Sequence, residues 1–338
     1  MGLLFVLIGV ALLVAAVTFA EAYFFTKMVI HPVLRVPEEV RKETYALDFM
    51  GKEFCDMVDN AKQFTVTTED GLTLRGRFLA KKAGKEFADG KERVVIICHG
   101  WTNCFYNMLR YARFFYDMGF NCVMYDHRNH GYSDKKITFM GLQEAKDLQL
   151  VIDKAKEEYG SNIVLGTMGE SMGAATVMIN SGFSKDLDFV IDDCGFSHLK
   201  GQLSYNLCHT YGKASKRENE SNLHYNFTKA VKYLLFILPK DICLFWADLI
   251  LKRQGGYSLK DVRPIDSVKK SGKVPMLFIH GGDDNFIDHN MMKELYEAKE
   301  GKKACWECPG ADHAVSIDTD REKYIQVVTE FFKDNNIL

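Results

Sequence analysis

Hydrophobic and polar residues follow three different patterns along this chain. Residues 2–20 are continuously apolar and contain no charged side chain. From Gln63 onward, short apolar runs alternate with longer segments in which apolar residues recur at helical spacing. Residues 199–257 interrupt this alternation, because they contain no run typical of a strand. The pattern therefore predicts an apolar N-terminal segment, a connector, an α/β core and one insertion.

The apolar segment Gly2–Ala20 is long enough to cross a membrane. Its 19 residues form a helix of roughly 28 Å at about 1.5 Å per residue, close to the thickness of a hydrocarbon core. Four basic residues follow the segment closely and none precedes it: Lys27, Arg35, Arg41 and Lys42. This asymmetry predicts that the body of the chain lies on the cytoplasmic side.

We favour an uncleaved anchor over two alternatives for this segment. A cleaved signal peptide usually begins with positive charge, which is missing here, although Ala20 and Ala22 leave a cleavage site and a secreted form open. A buried core helix is the other alternative. The sequence thus predicts a single-pass membrane protein.

Eight segments after the connector have strand patterns. The first two flank Glu69-Asp70-Gly71, which indicates a hairpin with an Asp-Gly turn. Val94–Ile97 is continuously apolar, as is typical of a strand buried on both faces of a parallel sheet. The predicted strands are Gln63–Thr68, Leu72–Leu79, Arg93–Cys98, Asn121–Asp126, Ile163–Thr167, Phe189–Asp192, Met276–His280 and Lys303–Trp306. Helical segments separate most of them: Asn107–Met118, Leu142–Tyr159, Ser171–Ser181, His289–Ala298 and the final Arg321–Lys333.

This order predicts an α/β fold with a mostly parallel eight-stranded sheet and helices on both faces. The insertion is predicted to be a helical cap over the C-terminal edge of the sheet, where open α/β sheets bind ligands. Extra helices that merely enlarge the core are the alternative. The predicted organisation is a transmembrane anchor at 1–22, a juxtamembrane connector at 23–62, a core at 63–198 and 258–338, and a cap at 199–257.

The cap contains two apolar stretches, Tyr233–Leu238 and Ile242–Leu251. A core that already has its own helices needs no further apolar stretch of this size. We therefore predict that the cap stretches line a substrate pocket, with Leu235 and Phe245 as the residues that test the idea. Packing or membrane contact is the alternative.

Composition excludes several classes of protein. Lys and Arg total 43 and Asp and Glu total 45, so no basic surface is available for a nucleic-acid backbone. The chain is 47% hydrophobic and 26% charged, which supports a large core. Nine cysteines are an odd number, and free buried thiols favour a reducing compartment. No cluster has metal-ligand spacing and no phosphate-binding loop is present, so we expect neither a metal nor a cofactor.

The strongest chemical signal is Gly169-Glu170-Ser171-Met172-Gly173. It has the G-x-S-x-G pattern, follows a predicted strand and begins a helix of small and apolar residues. This strand–turn–helix context is the one in which a serine hydroxyl is lifted off a sheet as a nucleophile. The sequence therefore predicts Ser171 as the nucleophile.

A serine nucleophile needs a base, and the base needs an orienting carboxylate. Asp283 and Asp284 follow the strand that ends at His280, and His313 lies in the loop after the last strand. The order Ser, Asp, His is the one expected for this strand arrangement. Asp192 and Asp193 also end a strand and are an alternative source of the acid. His99, His130 and His280 are predicted to hydrogen-bond within turns rather than act as bases, and Asp126 and Arg128 to brace a loop.

From about residue 63 to 338 the chain resembles the α/β-hydrolase superfamily. It is most similar to serine hydrolases of the bacterial membrane-anchored type, related to the serine aminopeptidase and dienelactone-hydrolase-like groups. Four blocks in order carry the resemblance: His99-Gly100-Trp101, Asp126–Ser133, Gly169–Gly173 and His280–Ile287. The last block places the acid on Asp284. Asn129 stands where Gly is usual in the second block, and Asp288 stands where a Pro often follows the last block. Neither residue belongs to the predicted catalytic set.

The resemblance implies acyl transfer to water by Ser171, His313 and Asp284. The main-chain N–H of Met172, at the start of its helix, is predicted to stabilise the oxyanion, and the resemblance supplies the N–H of Trp101 as the second donor. The Trp101 indole either walls the acyl pocket or simply packs. The predicted substrate is a small molecule with a carboxylic ester. A peptidase or amidase, an acyltransferase and a non-catalytic tethered binding protein are the alternatives, and the oligomeric state stays open.

Overall fold

An eight-stranded, mostly parallel sheet forms the centre of this protein, as the sequence predicts. The computed structural model describes residues 2–212 and 239–338. The strands lie in the order β1-β2-β4-β3-β5-β6-β7-β8, and only the pairs β1–β2 and β2–β4 are antiparallel. Their bounds are β1 Lys62–Thr67, β2 Thr73–Leu79, β3 Glu92–Cys98, β4 Asn121–Tyr125, β5 Ile163–Glu170, β6 Phe189–Asp193, β7 Met276–Gly281 and β8 Lys303–Cys308.

The parallel register aligns the ends of neighbouring strands at one edge. Cys98 at the end of β3 pairs with Gly169 near the end of β5, and Glu170 pairs with Asp193 at the end of β6. Gly281 of β7 pairs with Cys308 of β8. All the loops that carry predicted site residues therefore leave the sheet at its C-terminal edge, where open α/β sheets bind ligands.

Helices cover both faces of the sheet, so its central strands are buried on both sides. Phe115 of the fourth helix and Phe332 of the last pack on one face, whereas Leu148 and Val177 of two other helices pack on the opposite face. The described helices of the core are α4 Leu109–Met118, α5 Glu144–Tyr159, α6 Met172–Ser181, α9 Pro264–Lys270, α10 Asn290–Ala298, α11 Ser316–Thr319 and α12 Arg321–Asp334.

The N-terminal helix α1 is longer than the sequence predicts. It runs over Gly2–Ile30, eight residues past the predicted boundary at residue 22. Neither Glu21 nor Lys27 ends it, because single charged residues are compatible with a helix, and it stops just before Pro32, whose ring disfavours helical backbone in the preceding residue. The connector that follows contains two short helices, α2 Pro37–Tyr45 and α3 Lys52–Asp59.

Helix α1 is long and apolar enough to cross a membrane. Its buried residues form a single stripe in the second half of the helix: Thr18, Ala22, Thr26, Val29 and Ile30. The first part is exposed on all sides, with Leu3 at 75%. A helix that is apolar all round and exposed all round differs from an ordinary core helix, which the rest of the chain would cover.

The described parts of the insertion are helical. Helix α7 spans Leu199–Gly212 and helix α8 spans Lys240–Gln254. Helix α8 packs along the second half of α1, where the Phe19 and Trp246 rings meet edge to face at 5.4 Å. The apolar stretch Tyr233–Leu238, including Leu235, lies outside the described residues.

Candidate active site

The turn after β5 holds Ser171 in an unusual backbone conformation. Ser171 has φ 57° and ψ −113°, in a region that non-glycine residues rarely adopt, and helix α6 begins at the next residue. A Cβ on Gly173 would lie 2.1 Å from the main-chain oxygen of Cys98, and one on Gly169 would lie 2.2 Å from Gly173. Both glycines are therefore required for strand, turn and helix to approach this closely.

The structure brings together the three side chains that the sequence predicts as a catalytic set. Nε2 of His313 lies 3.0 Å from Oγ of Ser171, and Nδ1 of His313 lies 2.8 Å from Oδ2 of Asp284. The three residues come from the ends of β5, β7 and β8, far apart in the chain. This arrangement can move a proton from a serine hydroxyl to an imidazole that a carboxylate orients.

Asp284 is buried and accepts hydrogen bonds on both oxygens. The main-chain N–H groups of Phe286 and Ile287 each donate to Oδ1 at 2.8 Å. Nε2 of His280 lies 3.1 Å from Oδ2, the oxygen that also contacts His313. Burial alone would raise the pKa of Asp284, but the hydrogen bonds from His280 and His313 outweigh it and hold that pKa well below its usual range. The side chain is thus an anion at neutral pH.

The neighbouring carboxylates have other partners. Asp283 is exposed. Oδ2 of Asp193 accepts from the hydroxyls of Tyr111 at 3.0 Å and Tyr324 at 2.9 Å, and Oδ1 of Asp192 accepts from the N–H of Gly195 at 2.9 Å. None of the three is a hydrogen-bond partner of His313 in the described part of the chain, so the geometry favours Asp284 over these alternatives.

Two main-chain N–H groups predicted to hold an oxyanion lie at the same edge. Met172 is the first residue of α6, and the N–H of a first helical residue has no acceptor within its own helix. Trp101 lies three residues past the end of β3. Its indole Nε1 donates to the main-chain oxygen of Val29 at 3.3 Å, which ties this loop to the end of helix α1.

An apolar pocket of about 480 Å³, including its mouth, opens beside Ser171. Three of its residues come from the last two turns of α1: Phe25, Met28 and Val29. Helix α7 of the insertion contributes Gln202, Leu203 and Asn206. The remaining wall residues come from the core: Trp101, Met140, Phe196, Phe286 and Ile287. Trp101 is thus part of the wall.

The prediction that Phe245 lines this pocket differs from the structure. Phe245 lies on the outer face of α8, 61% exposed, and its ring meets Trp246 instead. The buried face of α8 packs against α1. The pocket is therefore lined by α1 and not by α8, which the sequence predicts there. Leu235, the other predicted pocket residue, lies outside the described residues.

The loop histidines and charges near the site make hydrogen bonds within turns. Nε2 of His99 accepts from the N–H of His127 at 3.0 Å. The carboxylate of Asp126 accepts from two main-chain N–H groups, those of Phe105 and Tyr132, each at 2.8 Å. Arg128 makes a two-pronged ion pair with Asp147, and Nε2 of His130 accepts from the N–H of Thr102. These contacts fix the loops that follow β3 and β4.

Sequence reasoning missed a buried ion-pair network under the nucleophile. Arg110 of α4 pairs with Glu170, the residue before Ser171, and with Asp318. It also donates to the main-chain oxygen of Ala314, the residue after His313, at 2.9 Å. One guanidinium therefore links the serine turn to the histidine loop. No local pattern in the sequence signals this contact, because its partners are 60 and more than 200 residues away.

The fold, the strained serine turn and the aligned strand ends define an α/β hydrolase, and the chain belongs to the α/β-hydrolase superfamily. Residues 89–181 match the family described as "Serine aminopeptidase, S33". Over 334 residues the chain is 32% identical to the uncharacterized protein YqkD of Bacillus subtilis (strain 168), covering 98% of both chains.

Solved structures share the fold at lower identity. The Pyrococcus furiosus esterase Pf2001 superposes with a TM-score of 0.61 at 22% identity, covering 82% of this chain and 92% of the esterase. Est1E from Butyrivibrio proteoclasticus, solved with ferulic acid bound, gives 0.55 at 16% identity, covering 81% and 100%. The acylaminoacyl peptidase of Pyrococcus horikoshii gives 0.55 at 16% identity, covering 81% and 41%.

Proposed function

We propose that this protein is a serine hydrolase that cleaves a carboxylic ester through a covalent acyl-enzyme. The observation that carries the proposal is the continuous contact from Ser171 Oγ through His313 to the buried carboxylate of Asp284, at 3.0 Å and 2.8 Å. Nucleophile, base and orienting acid are all present and lie within hydrogen-bond distance of one another.

The reaction follows from this geometry. As Ser171 Oγ bonds to the ester carbonyl carbon, its proton passes to Nε2 of His313, and Asp284 stabilises the imidazolium that forms. His313 then gives that proton to the leaving alcohol as the ester C–O bond breaks. Water attacks the acyl-enzyme, loses a proton to His313, and releases the acid while Ser171 regains its hydrogen.

The oxyanion of each tetrahedral intermediate would lie between the N–H groups of Trp101 and Met172. The N-terminus of α6 adds the positive end of its helix dipole at that point. Such preorganised donors act where charge develops, and each is worth about 100- to 1000-fold in rate.

An ester is favoured over an amide by the apolar pocket beside the serine, which suits an acyl chain better than a charged peptide. A peptidase or amidase remains the second candidate, because residues 89–181 match the family named for serine aminopeptidases. An acyltransferase would use the same three side chains with another acceptor in place of water. The complete set Ser171, His313 and Asp284 argues against a purely non-catalytic binding protein.

We further propose that α1 anchors the protein in a membrane as an uncleaved helix. The first part of α1 is exposed on every side, and its last part forms part of the pocket wall. Cleavage near residue 21 would separate this wall from the span. The basic residues that follow the span favour a cytoplasmic location for the hydrolase core.

Fluorophosphonate labelling tests the proposed nucleophile. We expect the full-length protein to be labelled on Ser171, and Ser171→Ala to lose both the label and the hydrolysis of short esters. Ser181→Ala, at the other end of the same helix and also buried, is the matched control and should retain both. Labelling or ester hydrolysis that persists in Ser171→Ala would overturn the proposal. An ester and an aminoacyl amide with the same acyl group, tested side by side, separate the first two candidates.

A further inference from the structure

The membrane-spanning helix and the wall of the substrate pocket are one continuous element. Helix α1 runs unbroken from Gly2 to Ile30, and its last two turns place Phe25, Met28 and Val29 beside Ser171. An anchor that only tethers the protein needs no contact with the site, because a flexible linker could join it to the core. This helix instead ends inside the active-site wall.

The end of α1 is fixed to the core by main-chain contacts. The N–H of Thr138 donates to the oxygen of Ile30 at 3.0 Å, and the Trp101 indole donates to that of Val29 at 3.3 Å. Val29 and Ile30 are themselves buried. The pocket therefore lies at a set distance from the bilayer that holds the helix.

That distance is short. Residues 2–17, which precede the buried stripe of α1, form a helix of about 24 Å, whereas a hydrocarbon core is about 30 Å thick. The span must therefore extend into the part of α1 that packs against α8. Phe25 follows a span ending near residue 21 by about one helical turn, roughly 6 Å. The α1 residues of the pocket wall thus lie at the depth of the lipid headgroups.

An exposed apolar surface continues from α1 onto α8. Ile242, Phe245 and Leu249 recur at helical spacing on the outer face of α8 and are all exposed. The ring contact between Phe19 and Trp246 joins this face to α1 at the level where the span ends. Large apolar side chains on one helix face beside a membrane span are typical of a helix that lies in the bilayer interface.

We propose that the substrate is an acyl-ester amphiphile dissolved in the bilayer, whose acyl chain enters the pocket along Phe25 and Met28 without passing through water. This inference rests on the proposed hydrolase function. Nine of the twelve residues that line the pocket are apolar, and this lining continues through α1 into the membrane. The ester carbonyl, which sits at the polar boundary of a lipid, would then meet Ser171, which lines the same pocket.

Two neighbouring phenylalanines allow a matched test. Phe25 lines the pocket, whereas Phe24 is 74% exposed on the same turn and does not. Full-length protein is placed in phosphatidylcholine vesicles that also contain a long-chain 4-methylumbelliferyl ester, and 4-methylumbelliferyl acetate serves as the soluble substrate. For Phe25→Ala we expect the ratio of long-ester to acetate kcat/KM to fall about tenfold, a size typical of apolar pockets. Phe24→Ala should leave that ratio within about twofold of the parent.

A second measurement tests the route of entry. The long ester is supplied either in the vesicles that carry the protein or in separate vesicles, at the same total concentration. Entry from the bilayer predicts rapid hydrolysis only in the first case. Equal rates in both cases, or equal effects of Phe24→Ala and Phe25→Ala, would overturn the inference. If Ser171→Ala loses acetate hydrolysis and the long ester is hydrolysed equally fast from both kinds of vesicle, the hydrolase function is supported and only entry from the bilayer is rejected.

Discussion

The indole nitrogen of Trp101 lies 3.3 Å from the main-chain oxygen of Val29 and donates to it. Trp101 is the residue whose own N–H is proposed to hold the oxyanion, and Val29 belongs to the last turn of α1, the helix proposed to span the membrane. The hydrogen bond therefore connects the proposed catalytic loop to the proposed anchor, and it makes the position of α1 part of the geometry of the site.

This connection predicts different behaviour for two shortened chains. A chain beginning at Tyr23 keeps Phe25, Met28 and the bond from Trp101 to Val29, whereas one beginning at Pro32 loses all of them. We expect the first to leave the membrane fraction and hydrolyse acetate esters. The second should lose most of that activity, because the pocket wall and an acceptor for the Trp101 indole are gone.

Sedimentation and ester assays on both shortened chains check this prediction, with the full-length protein as the control that sediments with membranes at its uncut mass. Equal activity of the two shortened chains would show that residues 23–31 do not support the site. Recovery of a natural secreted form starting near Glu21 would contradict the uncleaved anchor.

The identity of the acid can be tested at two adjacent positions. Asp284 is buried and contacts His313, whereas Asp283 is exposed. The two residues have the same side chain and differ in whether it contacts the histidine. Asp284→Asn should lower kcat by about 10⁴-fold, since an amide favours the wrong imidazole tautomer. Asp283→Asn should change kcat by no more than a few-fold. The reverse ranking in steady-state assays would place the acid one residue earlier.

The buried guanidinium of Arg110 predicts a large effect on stability. Arg110→Met leaves the Glu170 carboxylate buried without its ion-pair partner, and breaking a buried pair in this way typically costs about 3–5 kcal/mol. Arg113→Met, on the same helix, removes a more exposed pair with Asp117 and should cost far less, about 1 kcal/mol. Urea unfolding of both variants measures the difference. A loss in Arg110→Met as small as about 1 kcal/mol would mean that the Glu170 contact contributes little.

Much of the candidate site is predictable from the sequence because it is local to strand ends. Gly169–Gly173 carries its own turn chemistry, and the loops holding Asp284 and His313 follow strands that apolar runs reveal. Parallel strands bring such loops to one edge whatever the rest of the chain does. The same apolar runs predict all eight strands to within a few residues of their ends.

The contacts that sequence reasoning missed depend on packing between distant helices. Hydrophobic spacing shows that α8 has apolar residues on more than one face, but not which face α1 covers. The sequence therefore places Phe245 in the pocket, whereas the structure places it outside. The sequence predicts the end of the anchor at residue 22, eight residues before α1 ends, because the packing of α8 on the second half of α1 leaves no local signal near that boundary. Arg110 acts through partners that only the fold brings close.

A pH-dependent contribution to stability follows from Asp192. Burial raises the pKa of this carboxyl to about 7; the nearby charge of His280 opposes the rise and that of Asp193 adds to it. The folded state therefore holds this proton more tightly than the unfolded chain, whose pKa is about 3.9. Asp192 contributes stability below about pH 4 and loses that contribution as the pH rises through about 7, by at most about 1.4 kcal/mol per unit for one proton.

Asp192→Asn removes this titration while keeping an acceptor for the N–H of Gly195. Its free energy of unfolding should therefore fall less steeply than that of the parent between pH 5 and 8. Urea unfolding at four pH values across this range measures both slopes, and Asp283→Asn, which alters an exposed carboxyl, serves as the matched control. Because Glu144 has its pKa raised to about 7 as well, some slope should remain in every variant. Parallel curves for Asp192→Asn and the parent would show that Asp192 titrates alike in the folded and unfolded chain.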